Sequence, residues 1–200
     1  MNLFLRIMQP ERGAKILDVG GLPSLNGVPG FWDQCKGDYD ITLINLPGAF
    51  ASFSSRELAP YRLIEADVCE YVSNEVYDIA FSNSVVEHVG SRNRQESFAQ
   101  FVRSAGRRYW VQTPSPLFPL EAHCNLPFWW MRSHSYRLSK IKTWKFSGNP
   151  ELAAQMSGTR PITRTLLHTL FPGCAILTER VLGFSKSYIA LTSSNQARQN

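Results

Sequence analysis

The sequence predicts an α/β fold, a three-layer α/β/α sandwich around a seven-stranded, mostly parallel sheet. Three observations carry this expectation. Lys15-Ile-Leu-Asp-Val-Gly-Gly21 is a short apolar run ending in an acid and two glycines, the pattern of a buried parallel strand that turns sharply at its carboxyl end. Further short apolar runs recur along the chain and alternate with segments of helical spacing. The last two runs, 175–182 and 188–192, are joined only by Gly183-Phe-Ser-Lys-Ser187 and read as a terminal antiparallel hairpin.

Two hundred residues, 44% of them hydrophobic, suit one domain with a sizeable core. No apolar run reaches the length of a membrane span, and the first eight residues are too short for a secretory signal, so a cytoplasmic location is expected. The four cysteines, Cys35, Cys69, Cys124 and Cys174, lack metal or redox spacing and read as reduced thiols, with no metal site. The net charge of +5 is concentrated mid-chain, in Arg92, Arg94, Arg103, Arg107 and Arg108, then Arg132, Arg137, Lys140, Lys142 and Lys145. Nucleic acid or an anionic lipid or sugar phosphate can use such a surface; a solvated helix face with a mobile loop is the simpler explanation.

In chain order, residues 1–8 read as a short amphipathic turn lying on the sheet through Leu3, Phe4 and Ile7. Strand one covers 14–19. Gly20 and Gly21 follow because glycine enters a left-handed turn cheaply and lets a ligand approach the backbone. Asp18 stands at the crevice beyond the strands' carboxyl ends, where its carboxylate can receive a cationic group. Residues 31–36 read as a short helix with its amino end toward that crevice. Strand two covers 39–46 and is closed by Pro47 and Gly48, and 49–58 is a weak helix. Strand three covers 61–66, and Asp67 beyond it is a preferred cap for a turn over 68–72.

Strand four covers 76–82 and runs into Asn83-Ser84, small polar residues that suit a pocket floor. Glu87 and His88 fall in a helical turn, where neighbours point about 100° apart, so they are not read as a dyad. Ser91 caps a helix with Phe98, Phe101, Val102 and Ala105 at helical spacing. Gly106 ends that helix, and strand five covers 109–113. From 114 to 161 the alternation stops: six prolines interrupt it, and Phe128-Trp-Trp-Met131 sets apolar surface among basic residues. Such a stretch inside a compact domain is a lid or binding element, so the expected organisation is one domain over 1–200 with a lid or substrate insertion at about 114–160. Thr159 and Pro161 open the next helix, whose buried side is Ile162, Leu166, Leu167 and Leu170.

These motifs resemble those of one family. Lys15 to Gly21 resembles the first motif of the class I S-adenosylmethionine-dependent methyltransferases. Tyr77-Asp-Ile-Ala-Phe-Ser-Asn-Ser-Val-Val-Glu-His-Val-Gly90 resembles the fourth-strand motif of their type 11-like branch. Tyr109-Trp-Val-Gln-Thr-Pro114, with Phe118-Pro-Leu-Glu-Ala-His123, resembles the fifth strand and the loop after it. The resemblance spans roughly 14–192. It implies a Rossmann-like sheet, S-adenosyl-L-methionine as cofactor and S-adenosyl-L-homocysteine as product. It places Asp18, Gly20 and Gly21 at the cofactor loop, Asn45 and Leu46 at the ribose, Asp67 and Val68 at the adenine, and Asn83 and Ser84 at the methionine moiety. Two departures stand out: Gly20 and Gly21 are adjacent and followed by Pro23 where the family has Gly-x-Gly-x-Gly, and Asn45 replaces an acid.

A dinucleotide-dependent oxidoreductase would carry Gly-x-Gly-x-x-Gly after strand one and an acid after strand two, and this chain has neither. The expected reaction is methyl transfer to an oxygen, nitrogen or carbon of a small-molecule or lipid- or sugar-linked acceptor, an in-line displacement in which alignment supplies much of the acceleration. His123, with Glu121 beside it, is the candidate base. Glu121, Trp129, Trp130 and His88 form the acceptor side, where the tryptophans stack on a substrate or seal the lid. Two alternatives stand beside this reading: an RNA methyltransferase working through the basic middle segment, and a non-catalytic binding protein working through Trp129 and Trp130.

Overall fold

The computed structural model describes residues 1–25, 28–35, 37–121 and 123–192. Seven strands form the main sheet: β1 Lys15–Val19, β2 Asp40–Asn45, β3 Arg62–Glu65, β4 Tyr77–Asn83, β5 Gly106–Pro114, β6 Ala175–Val181 and β7 Phe184–Leu191. Their spatial order is β3-β2-β1-β4-β5-β7-β6, and β7 runs against both its neighbours. This is the mostly parallel sheet with a terminal hairpin that the sequence predicts.

Alternation along each strand divides the core between two faces. Leu17, Val19, Ile44, Ala80 and Val111 point to one face, where α3 Arg92–Ala105 and α6 Arg164–Leu170 pack through Phe98, Phe101, Val102, Leu167 and Leu170. Ile16, Leu43, Ile79, Phe81 and Trp110 point to the other, covered by α1 Asn2–Met8 through Phe4 and Met8. Helix α3 starts where Ser91 accepts a hydrogen bond from Arg94 N, and its buried residues recur at three- and four-residue spacing.

Several elements differ from expectation, each for a local reason. Only Ser55–Leu58 of 49–58 is helical (α2), started by a capping box between Ser54 and Glu57. Of the helix expected over 31–36, position 36 lies outside the described residues and the rest contributes a single 3₁₀ turn, Asp33–Cys35. Strand β5 begins at Gly106, and a Cβ there would lie 2.5 Å from Ala80 N, so the glycine serves close strand packing. The hairpin turn is only Leu182 and Gly183, both at positive φ, so β7 starts at Phe184. Glu87 and His88 lie in a non-helical turn.

The 114–161 stretch contains a 3₁₀ turn, Trp129–Met131, and two helices, α4 His134–Phe146 and α5 Pro150–Gly158. Ser133 and Asn149 cap these helices, with Pro150 in the first turn of α5. Thr159 closes α5, and Thr163 caps α6 in the place expected for Thr159. Helix α4 has no fully buried residue, so its sequence carries no apolar stripe to mark it.

The face under α1 is built from rings. Phe4 meets Trp32, Phe81 and Trp110 edge-on at 5.7, 5.1 and 5.6 Å. Asp18 pairs in register with Phe81 and points into this cluster, where its Oδ2 accepts a 2.7 Å hydrogen bond from Trp32 Nε1. Burial pushes the Asp18 carboxyl up to about 7, against the Trp32 bond.

Between the ordinary carboxylate range and that value the folded chain holds a proton that the unfolded chain releases, so stability falls as pH rises through this window. Asp18→Asn keeps an acceptor for Trp32 and removes the titration. Its thermal stability relative to the unmodified chain should improve from about pH 5 to about pH 8, by at most about 1.4 kcal/mol per pH unit crossed. An unchanged difference at the two pH values would mean that Asp18 titrates normally.

Candidate active site

The chain leaves β1 toward β2 and β3 on one side and returns to β4 and β5 on the other, so a crevice opens between the carboxyl ends of β1 and β4. Gly20 turns there with φ 81°, its N–H donating to Ile44 O at 2.8 Å. A Cβ at Gly20 would lie 2.4 Å from Val85 Cγ2, and one at Gly21 would lie 2.3 Å from Asp18 Oδ2. Both glycines are therefore required by packing within the protein. Ser84 takes a positive φ of 57° after β4, with its Oγ donating to Gln112 Oε1 at 3.0 Å. A left-handed non-glycine residue at a sheet's ligand edge is a strained position that the surroundings must hold.

Two cavities open at this edge and share Ser84. The first, about 300 Å³, is lined by Gly20, Asn45, Leu46, Asp67, Val68 and Ser84, with Val85, His88 and Arg94 completing its wall. The second, about 470 Å³, lies on the α1 side, between Phe31, Phe81, Trp110, Phe118 and Trp130, with Asn83, Gln112, Glu121, Glu179 and Lys186 among its polar members. Six of the nine residues expected at the cofactor thus surround one cavity, and Asn83 faces the other.

Asp18 lines neither cavity. Its carboxylate faces the Trp32 indole beneath the glycine turn, which corrects the expectation that it receives a cationic group. Asn45 spends its amide on the backbone: Nδ2 donates to Gly21 O at 3.1 Å and Oδ1 accepts from Leu46 N at 2.8 Å. An acid could not donate to that carbonyl, so asparagine ties the glycine turn to β2. Asp67 accepts from Cys69 N at 3.0 Å as a cap and from Arg94 Nη2 at 2.5 Å. Burial alone would raise its pKa, but Arg94 and the Cys69 amide hold it below the usual range. Arg94 also donates from Nε to Val89 O at 2.7 Å. The sequence shows no sign of this arginine's place, because its acid lies 27 residues away.

A cluster of titratable groups joins the two cavities: Glu121 lines the second, His88 the first, and His123 lies between them in neither lining. His123 Nδ1 lies 2.8 Å from Glu121 Oε1, while Glu121 Oε2 accepts from the backbone N–H of His123 and Cys124 at 2.7 and 2.9 Å. The Glu121 bond raises the His123 pKa against burial, and Glu87 adds to the effect. Burial opposes ionisation of Glu121, but His123 and the backbone donors hold it low. The His88 ring stands edge-on to that of His123 at 5.0 Å. Thr159 donates its only hydroxyl proton to Gln155 O at 2.8 Å, so at 3.2 Å it accepts from His88 Nδ1–H and leaves Nε2 bare. Burial, with His123 nearby, lowers the His88 pKa.

Glu87 is buried with Oε2 accepting from Thr113 Oγ1 at 2.9 Å, and burial pushes its carboxyl up to about 7. Its Oε1 reaches within 3.9 Å of His88 Nε2, closer than side chains of adjacent helical residues would come. Trp129 is 1% exposed and packs on Trp144 at 5.2 Å, with Trp130 and Tyr136 around it, so it ties the 3₁₀ turn to α4. Trp130 is half-buried, faces the second cavity and carries Arg137 over its ring at 5.3 Å. Among the described residues no group of three or more His, Cys, Asp or Glu is arranged to hold a metal ion. No described helix is long and apolar enough to cross a membrane.

No family model and no curated protein matches the chain. Solved structures do match its fold. A TehB-like S-adenosylmethionine-dependent methyltransferase from Corynebacterium glutamicum is 16% identical over 95% of this chain and 85% of its own, with a TM-score of 0.51. The N-methyltransferase NodS from Bradyrhizobium japonicum, crystallised with S-adenosyl-L-homocysteine, is 10% identical over 94% and 81%, with a TM-score of 0.58. A 1,6-didemethyltoxoflavin N1-methyltransferase from Burkholderia thailandensis, bound to its substrate and S-adenosylhomocysteine, is 15% identical over 96% and 76%, with a TM-score of 0.57. At these identities the likeness establishes a class I methyltransferase fold.

If the Gly20–Val85 approach governs the crevice, Gly20→Ala should destabilise the chain by roughly 2–4 kcal/mol, from backbone strain together with the clash. Adding Val85→Ala removes the steric part and should restore about half of the loss in chemical denaturation. Equal stability of the single and double variants would assign the whole effect to the backbone.

Proposed function

We propose that this chain is an S-adenosyl-L-methionine-dependent methyltransferase acting on a small-molecule or lipid- or sugar-linked acceptor, with S-adenosyl-L-homocysteine as product. One observation carries the reading: two cavities meet at Ser84 at the carboxyl edge of the sheet, and Glu121, which lines the second, holds His123 by a hydrogen bond.

The first cavity suits the cofactor by the chemistry of its walls. Leu46 and Val68 offer apolar sides for a planar base, and each Asp67 oxygen keeps acceptor capacity for an exocyclic amine beyond its present partner. Asn45 Oδ1 keeps a lone pair for a hydroxyl, and Ser84 closes the end nearest the second cavity. Gly20, Asn45, Leu46, Asp67, Val68 and Ser84 would hold the cofactor, which when bound supplies an electrophilic methyl group.

The protein's own part is orientation and proton transfer. Glu121 holds the Nδ1–H of His123 and leaves Nε2 as the proton acceptor, and it stabilises the imidazolium once the proton arrives. His88, kept neutral with its proton on Nδ1, adds no positive charge to the wall of the cofactor cavity. The sealed tryptophan cluster of the lid limits water beside the second cavity.

Thermal unfolding with S-adenosylmethionine, S-adenosylhomocysteine and a dinucleotide tests the cofactor. At about a hundredfold over the dissociation constant, binding adds about 2.7 kcal/mol, a rise of several degrees expected for the two sulfur compounds only. No shift with any of them would favour the non-catalytic reading.

The base has its own signature in pH. His123 must be neutral to act, so the rate rises with pH through its raised pKa. Glu121→Gln removes the negative partner and should move that limb to lower pH, while the plateau falls by roughly 10- to 100-fold as the ring loses its orientation. A limb that stays in place would remove His123 from the role.

A further inference from the structure

We infer that the methyl acceptor is a flat aromatic or heteroaromatic ring system bearing a hydroxyl group, bound in the second cavity. This rests on the methyltransferase reading above and narrows its acceptor. The register of β4 and β5 sets Phe81 beside Trp110 and, one alternation further, Asn83 beside Gln112. Strand periodicity puts all four on the same face. The cavity therefore has an aromatic row followed by an amide row at its mouth. Phe31 lies over Phe81 at 4.5 Å and 36°, and Phe118 and Trp130 add rings from the loop and the lid. Ring walls on several sides favour a planar guest through stacked and edge contacts.

The polar groups choose among guests. Ser84 occupies Gln112 Oε1, and among the described residues neither the Gln112 Nε2 donors nor the Asn83 amide has a side-chain hydrogen bond. The hydroxyl of Ser115 is committed to Tyr188, and that of Ser187 to Glu179. Asn83 and Gln112 thus offer amide groups along one edge, matching a ring carbonyl or ring nitrogen, while Lys186, Glu179 and Glu121 line the cavity elsewhere. An alkyl chain would leave both amides desolvated without partners.

The base selects the reacting group. An amine needs none, whereas a phenolic hydroxyl, with a pKa of about 10, lies within reach of an imidazole, as an aliphatic alcohol does not. The phenolic oxygen would give its proton to His123, held by the cavity residue Glu121, and an electron pair to the methyl carbon, and the carbon–sulfur pair would return to sulfur.

The test is binding first and turnover second. By ligand-observed NMR, with and without S-adenosylhomocysteine, the full chain is titrated with 6-hydroxyquinoline, decahydro-2-naphthol, methyl glucoside and octanol. The hydroxyquinoline should bind about tenfold or more tightly than its saturated analogue, in keeping with two or three aromatic contacts. Trp130→Ala and Gln112→Leu, each checked for native unfolding, should each weaken it by about threefold or more. Equal binding of the saturated ring, preference for methyl glucoside or octanol, or undiminished binding by both variants would overturn the inference. Cofactor binding is read separately: a thermal shift with S-adenosylhomocysteine but no ring binding defeats the acceptor class alone. Ring binding without that shift defeats the methyltransferase reading and leaves the ring site standing. With both in place, S-adenosylmethionine and 6-hydroxyquinoline should yield the methyl ether.

Discussion

The close approach of the backbone at Gly20 to the Val85 side chain is the constraint on which the ligand edge depends. Because position 20 carries no Cβ, the turn after β1 and the turn after β4 close on each other, where any side chain would stand 2.4 Å from Val85. Ser82 Oγ binds Val19 O at 3.0 Å just below, and Ser84 N binds Gln112 O at 3.0 Å just beyond, so the two strand ends are fixed on both sides of that contact. Ser84 is thereby held in its left-handed conformation between the cavities. His88, four residues on, is brought to the wall of the first cavity by the same turn. A single missing methyl thus positions groups that otherwise share no local sequence rule.

Around this contact the protein separates carboxyls by environment. Asp18 and Glu87 are buried with one neutral donor each, and both are pushed up to about 7. Glu121 and Asp67 are also desolvated, yet a histidine or an arginine and backbone amides hold them ionised. The histidines divide the same way, His123 raised by a carboxylate and His88 lowered by burial. Neighbouring groups driven in opposite directions are a mark of acid–base sites, although structural ion pairs produce shifts of the same kind. Here the division coincides with geometry: the raised histidine bonds to an acid of the second cavity, and the lowered one lines the first.

The sequence made the strands legible because their signal is local. Apolar runs ending in Gly20-Gly21, Asn45, Asp67-Val68 and Asn83-Ser84 mark strand ends, and four strand ends side by side are enough to outline the first cavity. Partners distant in sequence were not legible. Arg94 meets Asp67 across 27 residues and Thr159 meets His88 across 71, and no periodicity announces such pairs. Asp18 was misassigned for a related reason: position placed it at the crevice, but strand alternation turns it toward Trp32. The arginine-rich charge count was equally uninformative about Arg108, whose Nη1 caps Met8 O at 2.7 Å and fastens α1 over the aromatic face.

Helix α4 eluded the sequence because what holds it is not an apolar stripe. It buries no residue fully and packs on α5, with Trp144 resting on the buried Trp129. Helix α5, in turn, ends where the site begins. Arg160 N donates to Glu87 O at 2.7 Å, Gln95 Nε2 holds Arg160 O at 3.1 Å, and Thr159 accepts from His88. The α4–α5 pair is therefore fastened most firmly at the turn that presents Glu87 and His88 and least firmly along α4. Since stability across a fold follows buried contacts, opening of α4 costs less than any motion of the α5 end. Trp130, which walls the second cavity, thus adjoins the less firmly held part, while His88 is bound to the more firmly held one.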